Sequence, residues 1–155
     1  MTDLRYCLPN NHGTLLFAPQ THAHFEKHKQ KRVWHREAGG QLFAVITAGQ
    51  FEVVEATGPR RSDKRSLFGF EPDRRSERAE IKTRYERGLH FIGDWHTHRQ
   101  VHPEPSGTDI ASMRDMVKRS DYELPGFLLV IVGTAAAPDG LHVSFHTADQ
   151  YYLLN

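Results

Sequence analysis

The sequence has a single cysteine, no long apolar run and almost no excess of either charge. Cys7 stands alone, which excludes an internal disulfide and a thiolate zinc cluster and predicts a reducing, cytoplasmic setting. The longest apolar run, residues 127–132, is far shorter than the roughly 20 residues of a membrane span, and the start lacks a secretory hydrophobic stretch, so we expect no membrane or export segment. A formal charge of +1 argues against nucleic acid as a partner.

What the chain does contain is enough apolar material for one core and an unusual supply of histidine. Its 155 residues are 38% hydrophobic and 25% charged, which predicts one folded domain over residues 1–155. Without further cysteines, any metal must be bound by histidine and carboxylate. The 11 histidines make such a site worth pursuing.

Hydrophobic periodicity and turn residues predict an α/β or α+β fold, with a central mixed sheet flanked by helices. Strands are predicted at 15–17, 41–47, 51–57, 89–95, 126–133, 141–145 and 151–154. Helices are predicted at 21–32 with Thr21 as N-cap, at 74–87 ended by Gly88, and at 106–120 with Ser106 as N-cap. Between the predicted strand 51–57 and the second predicted helix, residues 58–73 are turn-rich and basic and predict a flap.

Two histidines, His96 and His98, stand two residues apart where a predicted strand ends. Residues at this spacing point to the same face of a strand, so both imidazoles can approach one ion. Asp109 lies in the first turn of the following helix, from which its carboxylate can turn back toward the strand. Three N and O ligands with a fourth position open are what a catalytic zinc needs to lower the pKa of a water to roughly 7. The spacing predicts one Zn²⁺ per chain, although Mn²⁺, Fe²⁺ or Co²⁺ would also suit these donors.

Hydrolysis at such a centre also needs a base and a group that stabilises the oxyanion. Glu37 is the candidate base, because it precedes Gly39 and Gly40, which permit a close backbone approach beside the metal. Ser106 could donate its hydroxyl to the oxyanion, a stabilisation worth about 2.7 to 4 kcal/mol in comparable donor deletions. The same side chain could instead only cap its helix.

Glu37, together with the series His-x-His-x7-Ser-x2-Asp over residues 96–109, resembles the JAMM motif of the JAB/MPN metallopeptidases. The resemblance covers about residues 15–143 and implies the MPN fold, a mixed sheet with flanking helices in a cytidine deaminase-like layout. It also implies that the two histidines and the aspartate bind zinc, that Glu37 holds the nucleophilic water, and that Ser106 supports the oxyanion.

Within this family, the segments 57–59, 70–73 and 93–98 resemble a bacterial branch encoded beside ubiquitin-like conjugation enzymes in anti-phage operons, such as type II CBASS and Bil. The resemblance implies a deubiquitinase-like isopeptidase that removes a ubiquitin-like modifier or a conjugated protein from its target. Conjugation enzymes of the same operon are possible partners. The sequence departs from the family at Arg99, where proline is usual, at Ala38 and at Ala44. We expect the ligands to converge regardless, because the seven-residue interval is intact.

The flap carries an apolar island that includes Phe68 and Phe70, which could pack on an extended peptide added beside the sheet. Two other functions stay open. The first keeps the chemistry and changes the substrate to a sulfur-carrier adduct or a cell-wall peptide. The second is a non-catalytic interaction module, which is disfavoured because all five motif positions are present.

Three further histidines, Trp95 and the cysteine have simpler interpretations. His22, His24 and His28 have helical spacing but no well-placed acidic ligand, so a solvated helix face is favoured over a metal site. Trp95 alternates away from His96 and is predicted to lie in the core. Cys7 is predicted to have no catalytic role, since nothing near it in the sequence would lower its pKa.

Overall fold

The computed structural model describes residues 4–121 and 123–155. Its strands are β1 Leu4–Leu8, β2 Gly13–Phe17, β3 Gly39–Thr47, β4 Gln50–Ala56, β5 Lys64–Arg65, β6 Phe70–Glu71, β7 His90–Thr97, β8 Phe127–Val132, β9 Leu141–His146 and β10 Tyr151–Leu153. Its helices are α1 Pro19–His28, α2 Arg74–Tyr85 and α3 Gly107–Arg119, with a short 3-10 turn at Pro9–Asn11. None of the helices in this part of the chain is long and apolar enough to span a membrane.

Eight strands form one mixed sheet in the order β1-β2-β4-β3-β7-β8-β9-β10, and β5 pairs with β6 in the flap. The pairs β2/β4 and β7/β8 are parallel, whereas β3 runs antiparallel to both β4 and β7. This arrangement confirms the predicted α+β fold with a central mixed sheet and flanking helices. Because β7 lies between β3 and β8, the residues at its carboxyl end have a hydrogen-bonded strand on each side.

The continuous apolar run of β8 is explained by its position between two cores. Leu128, Val130 and Val132 belong to a cluster on the face covered by α1, where Phe25 packs on Trp95 with ring centroids 5.5 Å apart. Leu129 and Ile131 belong to a second cluster on the opposite face, which also contains Met113 of α3. A strand buried on both faces has no polar side, which is why its sequence does not alternate.

The first helix differs most from its prediction. It begins at Pro19 and ends at His28, and its N-cap is Ala18, which makes no side-chain cap bond. The prediction of Thr21 as the N-cap is therefore wrong. Thr21 is instead buried, and its hydroxyl donates a hydrogen bond to the carbonyl of Val53 at 2.8 Å. Proline favours the first helical position because it has no N–H to satisfy, which accounts for the earlier start.

The helix predicted at 21–32 stops early because Lys29 leaves the helical conformation. Lys29 is buried, and its Nζ donates to the carbonyl of Ala135 at 2.8 Å and pairs with Glu26 at 2.7 Å. A strand was also missed at Leu4–Leu8, whose residues alternate strictly between buried and exposed. Cys7 lies on its exposed side.

Candidate metal centre

The centre is built where β7 ends beside the start of β3. Gly39 of β3 is paired with His96, and Gly40 with Trp95. A Cβ added at Gly40 would lie 1.8 Å from the carbonyl oxygen of Thr57, so only glycine admits the chain at this point. The predicted close backbone approach is thus present, and it brings the segment before β3 alongside the carboxyl end of β7.

The structure brings together the three side chains that the sequence predicted as metal ligands. His96 Nε2 lies 3.2 Å from Asp109 Oδ1, and His98 Nε2 lies 3.4 Å from Asp109 Oδ2. The two Nε2 atoms are themselves 3.2 Å apart. Arg99, in the position where proline is usual, does not prevent this convergence.

The donor set fits a divalent cation. Candidate ligand atoms of the three residues all lie within 4.8 Å of one another. His98 Nδ1 lies 3.0 Å from Gln100 Oε1. When Nδ1 carries the proton and donates it to this amide oxygen, the Nε2 lone pair is directed at the centre, as in protein zinc sites.

The charge balance of the site favours an ionised carboxylate. Burial opposes ionisation of Asp109, but the hydrogen bonds from His96 and His98 together outweigh it and hold the pKa of Asp109 below its usual range. The hydrogen bond that His98 donates to Asp109 raises the pKa of His98, against the effect of burial. A positive charge at this position is therefore stabilised by the protein.

Glu37 is fixed at the rim of the centre by its backbone. Its N–H donates to the carbonyl of Ser66 at 2.8 Å, and Arg65 Nε donates to the carbonyl of Glu37 at 2.7 Å. The next residue, Ala38, is tied to Thr97 by hydrogen bonds in both directions. Burial raises the pKa of Glu37, while the nearby His96 and His98 lower it. A carboxyl with a raised pKa holds a proton more firmly than a solvated one, which suits a group that takes up a proton and later returns it.

Ser106 is the N-cap of α3 and forms a capping box with Asp109. Its Oγ accepts from the Asp109 N–H at 3.1 Å, and its own N–H donates to Asp109 Oδ2 at 2.8 Å. In this cap the serine oxygen is the acceptor, so its hydroxyl proton is still available to donate. Capping and oxyanion stabilisation, which the sequence left as alternatives, are therefore compatible.

A cavity of about 430 Å³ joins the centre to the flap, α2 and α3. Glu37, Ser106 and the three candidate ligands line it together with Phe68 and Phe70. Phe68 is 85% exposed, whereas Phe70 is half-buried. Arg99 places its guanidinium 5.8 Å from the centre of the Phe68 ring and donates to the carbonyls of Val33 and His35, which links two walls of the opening.

Sequence analysis missed the acidic side of this cavity. Asp94, Glu77 and Arg74 also line it. Burial, reinforced by the negative charge of Glu77, raises the pKa of Asp94 to about 8. The spacing of the sequence could have indicated Asp94, because this residue precedes His96 by two positions and therefore lies on the same face of β7.

The solvated helix face predicted for His24 and His28 is wrong. Both rings pack on Trp95, with centroids 5.3 Å and 5.8 Å from it, and His24 Nε2 lies 2.6 Å from the carbonyl of Gly58. Burial lowers the pKa of both, that of His28 to about 4. The core position predicted for Trp95 is confirmed, because only 1% of it is exposed.

The fold and the cluster define a mixed α+β protein with a candidate His-His-Asp centre at the end of a central strand. The chain belongs to the family described as prokaryotic homologs of the JAB domain, whose profile matches residues 19–146. The JAB resemblance of the sequence is thereby confirmed.

Three curated relatives have informative names. A "CD-NTase/cGAS isopeptidase" from Enterobacter hormaechei subsp. hoffmannii is 33% identical over 99 residues, which are 63% of this chain and 55% of that protein. A protein of the same name from Pseudomonas aeruginosa is 30% identical over 130 residues, 82% of either chain. A "probable metalloprotease" from Sinorhizobium fredii is 30% identical over 105 residues, 64% of either chain. The chain thus matches little more than half the length of the first relative.

Solved structures agree on the fold. A solution structure from Desulfitobacterium hafniense superposes with a TM-score of 0.61 at 16% identity, over 88% of this chain and 87% of that one. A second, from Salinibacter ruber, gives a TM-score of 0.50 at 23% identity, over 88% and 86%. At these identities the likeness concerns the fold alone.

Proposed function

We propose that this protein is a zinc-dependent isopeptidase or peptidase that hydrolyses the bond after the C-terminus of a ubiquitin-like modifier or conjugated protein, in a bacterial anti-phage conjugation system. The observation that carries the proposal is the convergence of His96, His98 and Asp109 in a cavity that also contains Glu37 and Ser106. The isopeptidase and metalloprotease names of the relatives support it.

The two histidines and Asp109 would hold one ion. Two imidazoles and one carboxylate, with no thiolate, suit zinc. When bound, such an ion lowers the pKa of a coordinated water and polarises the carbonyl of the substrate.

The side chains of the protein would move the protons. Glu37 takes a proton from the attacking water as the new C–O bond forms, and delivers it to the departing lysine amine as the C–N bond breaks. Ser106 donates its hydroxyl to the oxyanion between these steps, while its oxygen continues to cap α3. Both groups line the same cavity as the candidate ligands, as these roles require.

The flap would hold the extended C-terminal tail of the modifier. Arg65 of β5 and the next residue, Ser66, form hydrogen bonds with the Glu37 backbone, so a peptide lying along the flap would reach the centre directly. Phe68 and Phe70 would pack on this peptide, as is usual when a strand is added beside a sheet.

The test is to incubate fusions of candidate ubiquitin-like modifiers with the purified protein and to determine the mass of each released fragment. Glu37→Ala should lose about 10²- to 10⁴-fold in cleavage rate while retaining zinc, because the lost group is a proton carrier and not a ligand. Glu123→Ala, at an exposed glutamate, is the matched control. Full activity of Glu37→Ala would refute the mechanism, and purified protein without stoichiometric zinc would favour a non-catalytic module.

A further inference from the structure

We propose that the acidic side of the cavity is a second subsite, formed by Asp94 and Glu77, which binds the side chain of a lysine or arginine in the substrate. Its role in substrate choice rests on the proposed peptidase function, whereas its ability to bind such a group does not.

The subsite lies beside the metal centre. Asp94 and His96 lie two residues apart on the same face of β7, where they pair with Gln41 and Gly39 of β3. At a rise of about 3.3 Å per residue, their Cα atoms are roughly 6.6 Å apart along the strand. An extended substrate covers this distance in about two residues. The group bound at Asp94 would therefore belong to a residue that flanks the scissile bond.

Asp94 has an oxygen without a partner. Its Oδ1 is shielded from solvent and accepts no hydrogen bond from the residues that the structure describes. The neighbouring carboxylates differ, since Glu77 accepts from Arg74 at 3.0 Å and Glu80 accepts from Arg60 at 2.6 Å. A shielded carboxylate oxygen without a donor is costly, and a donor supplied by a ligand would remove that cost.

The region around Asp94 contains more carboxyl groups than cationic groups. Within the described chain, the interacting charged groups here are four carboxyl groups and two guanidinium groups, namely Asp63, Glu77, Glu80, Asp94, Arg60 and Arg74. Arg60 is already engaged by Glu80 and Asp63, and Arg74 by Glu77. A cation brought by a ligand would therefore meet, in Asp94, a carboxyl group with a shielded oxygen that neither guanidinium already engages.

The walls favour a cation at the end of an alkyl chain over a bare ion. Leu129 is paired with Asp94 in the sheet and shares its face, and Met113 of α3 and Phe70 of the flap also line the cavity. Lysine and arginine bury their aliphatic stems against such surfaces while the charged end meets a polar partner. A divalent ion would gain nothing from these contacts.

The experiment uses the zinc-loaded full chain and two small probes of the same shape. Butylguanidinium carries the charge of an arginine side chain, and butylurea is its neutral analogue. In a titration followed by ¹H–¹⁵N NMR, we expect butylguanidinium to bind about tenfold more tightly than butylurea, with shifts centred on residues 74–77 and 94. Equal affinities of the two probes would overturn the proposal without the use of any variant, and so would saturating shifts with Mg²⁺ in place of the probe.

Single substitutions test which residues bind the butylguanidinium probe. Asp94→Asn keeps the shape of the side chain and should lower butylguanidinium affinity about tenfold while zinc content stays at that of the unmodified chain. Glu77→Gln should have a smaller effect, because Glu77 is already paired with Arg74. Asp115→Asn, at an exposed aspartate of α3, is the matched control. Unchanged binding by Asp94→Asn would refute the subsite. Cleavage of a fusion by a chain that does not bind the probe would leave the peptidase proposal intact and remove only this one.

Discussion

Two groups of histidines lie on neighbouring parts of the same sheet and have opposite surroundings. His96 lies in β7 directly before its last residue, Thr97, His98 directly follows the strand, and both face the carboxylate of Asp109. His142 and His146 lie on β9, where the Nε2 atom of each is 2.8 Å from the hydroxyl oxygen of Ser144. His96 pairs with Ile131 of β8, and Ile131 pairs in turn with His142. The two groups of histidines therefore lie on the same face of the sheet.

The difference shows that the partner of a histidine, and not its spacing along a strand, determines its chemistry. The carboxylate of Asp109, in the first turn of α3, stabilises a positive charge between the imidazoles of His96 and His98. On β9 the side chains are buried and share only a neutral hydroxyl, and burial lowers the pKa of both His142 and His146 to about 4. The first pair is therefore suited to bind a cation, and the second is held neutral as part of the core.

The largest expected effect is the loss of metal from the β7 pair alone. His98→Ala should lower zinc affinity by more than about 100-fold and abolish cleavage, because it removes a ligand rather than a supporting group. Metal analysis of the purified variants measures this. Ser144→Ala, which disrupts the β9 group, should retain stoichiometric zinc, and its loss of zinc would contradict the division between the groups.

The next effect is on stability. Ser144→Ala leaves two buried imidazole nitrogens without their shared partner and should lower the free energy of unfolding by about 2 kcal/mol. Urea denaturation followed by circular dichroism gives this value. Ser112→Ala, at an exposed serine of α3, should change it little. Equal effects of the two substitutions would show that the β9 hydrogen bonds contribute nothing.

A smaller effect is expected at the residue that orients His98. Gln100→Ala removes the amide oxygen 3.0 Å from His98 Nδ1 and should lower zinc affinity about tenfold while leaving all three ligands in place. Competition with a chromophoric chelator is the measurement. An unchanged affinity would mean that Gln100 does not fix the orientation of the ring.

The smallest effect is the pH dependence of stability. A histidine titrates at 6.5 when unperturbed, whereas the pKa of His146 in the folded chain is about 4, so the unfolded state binds the proton first. The contribution of neutral His146 to the free energy of unfolding is therefore complete above pH 6.5 and is lost as the pH falls toward 4. His146→Gln should reduce this loss of stability at low pH by about 1 kcal/mol. Denaturation midpoints at pH 7 and pH 5 test it, and an unaltered slope in the variant would contradict the assignment.

The sequence predicts most of the sheet and the candidate ligands because both depend on local spacing. The alternation in β9, the unbroken apolar run of β8 and the capping signal at Ser106 are all contained within short segments. The roles of Glu37, Ser106, Phe68 and Phe70 are predictions from the sequence that await the experiments above, although all four residues line one cavity with the candidate ligands.

Features that depend on distant parts of the chain were not predictable in this way. The early end of α1 requires Lys29 to reach Ala135, and the partial burial of His24 and His28 requires Trp95 of β7 beneath them. A polar stretch with several histidines is typical of a solvated helix until its neighbours are known. Likewise, the environment of Asp94 arises from α2 and α3, which no local pattern connects to β7.

The attachment of Glu37 to the flap has a mechanical consequence. Since the backbone of this glutamate is bonded on both its N–H and its carbonyl to Ser66 and Arg65, any displacement of those flap residues is transmitted to the carboxylate. A ligand that orders the flap would thereby also set the direction of the Glu37 side chain, the proposed general base. A short peptide that does not contact the flap would meet a Glu37 side chain that is less well oriented. For the proposed peptidase, discrimination between long and short substrates would thus depend on two main-chain hydrogen bonds.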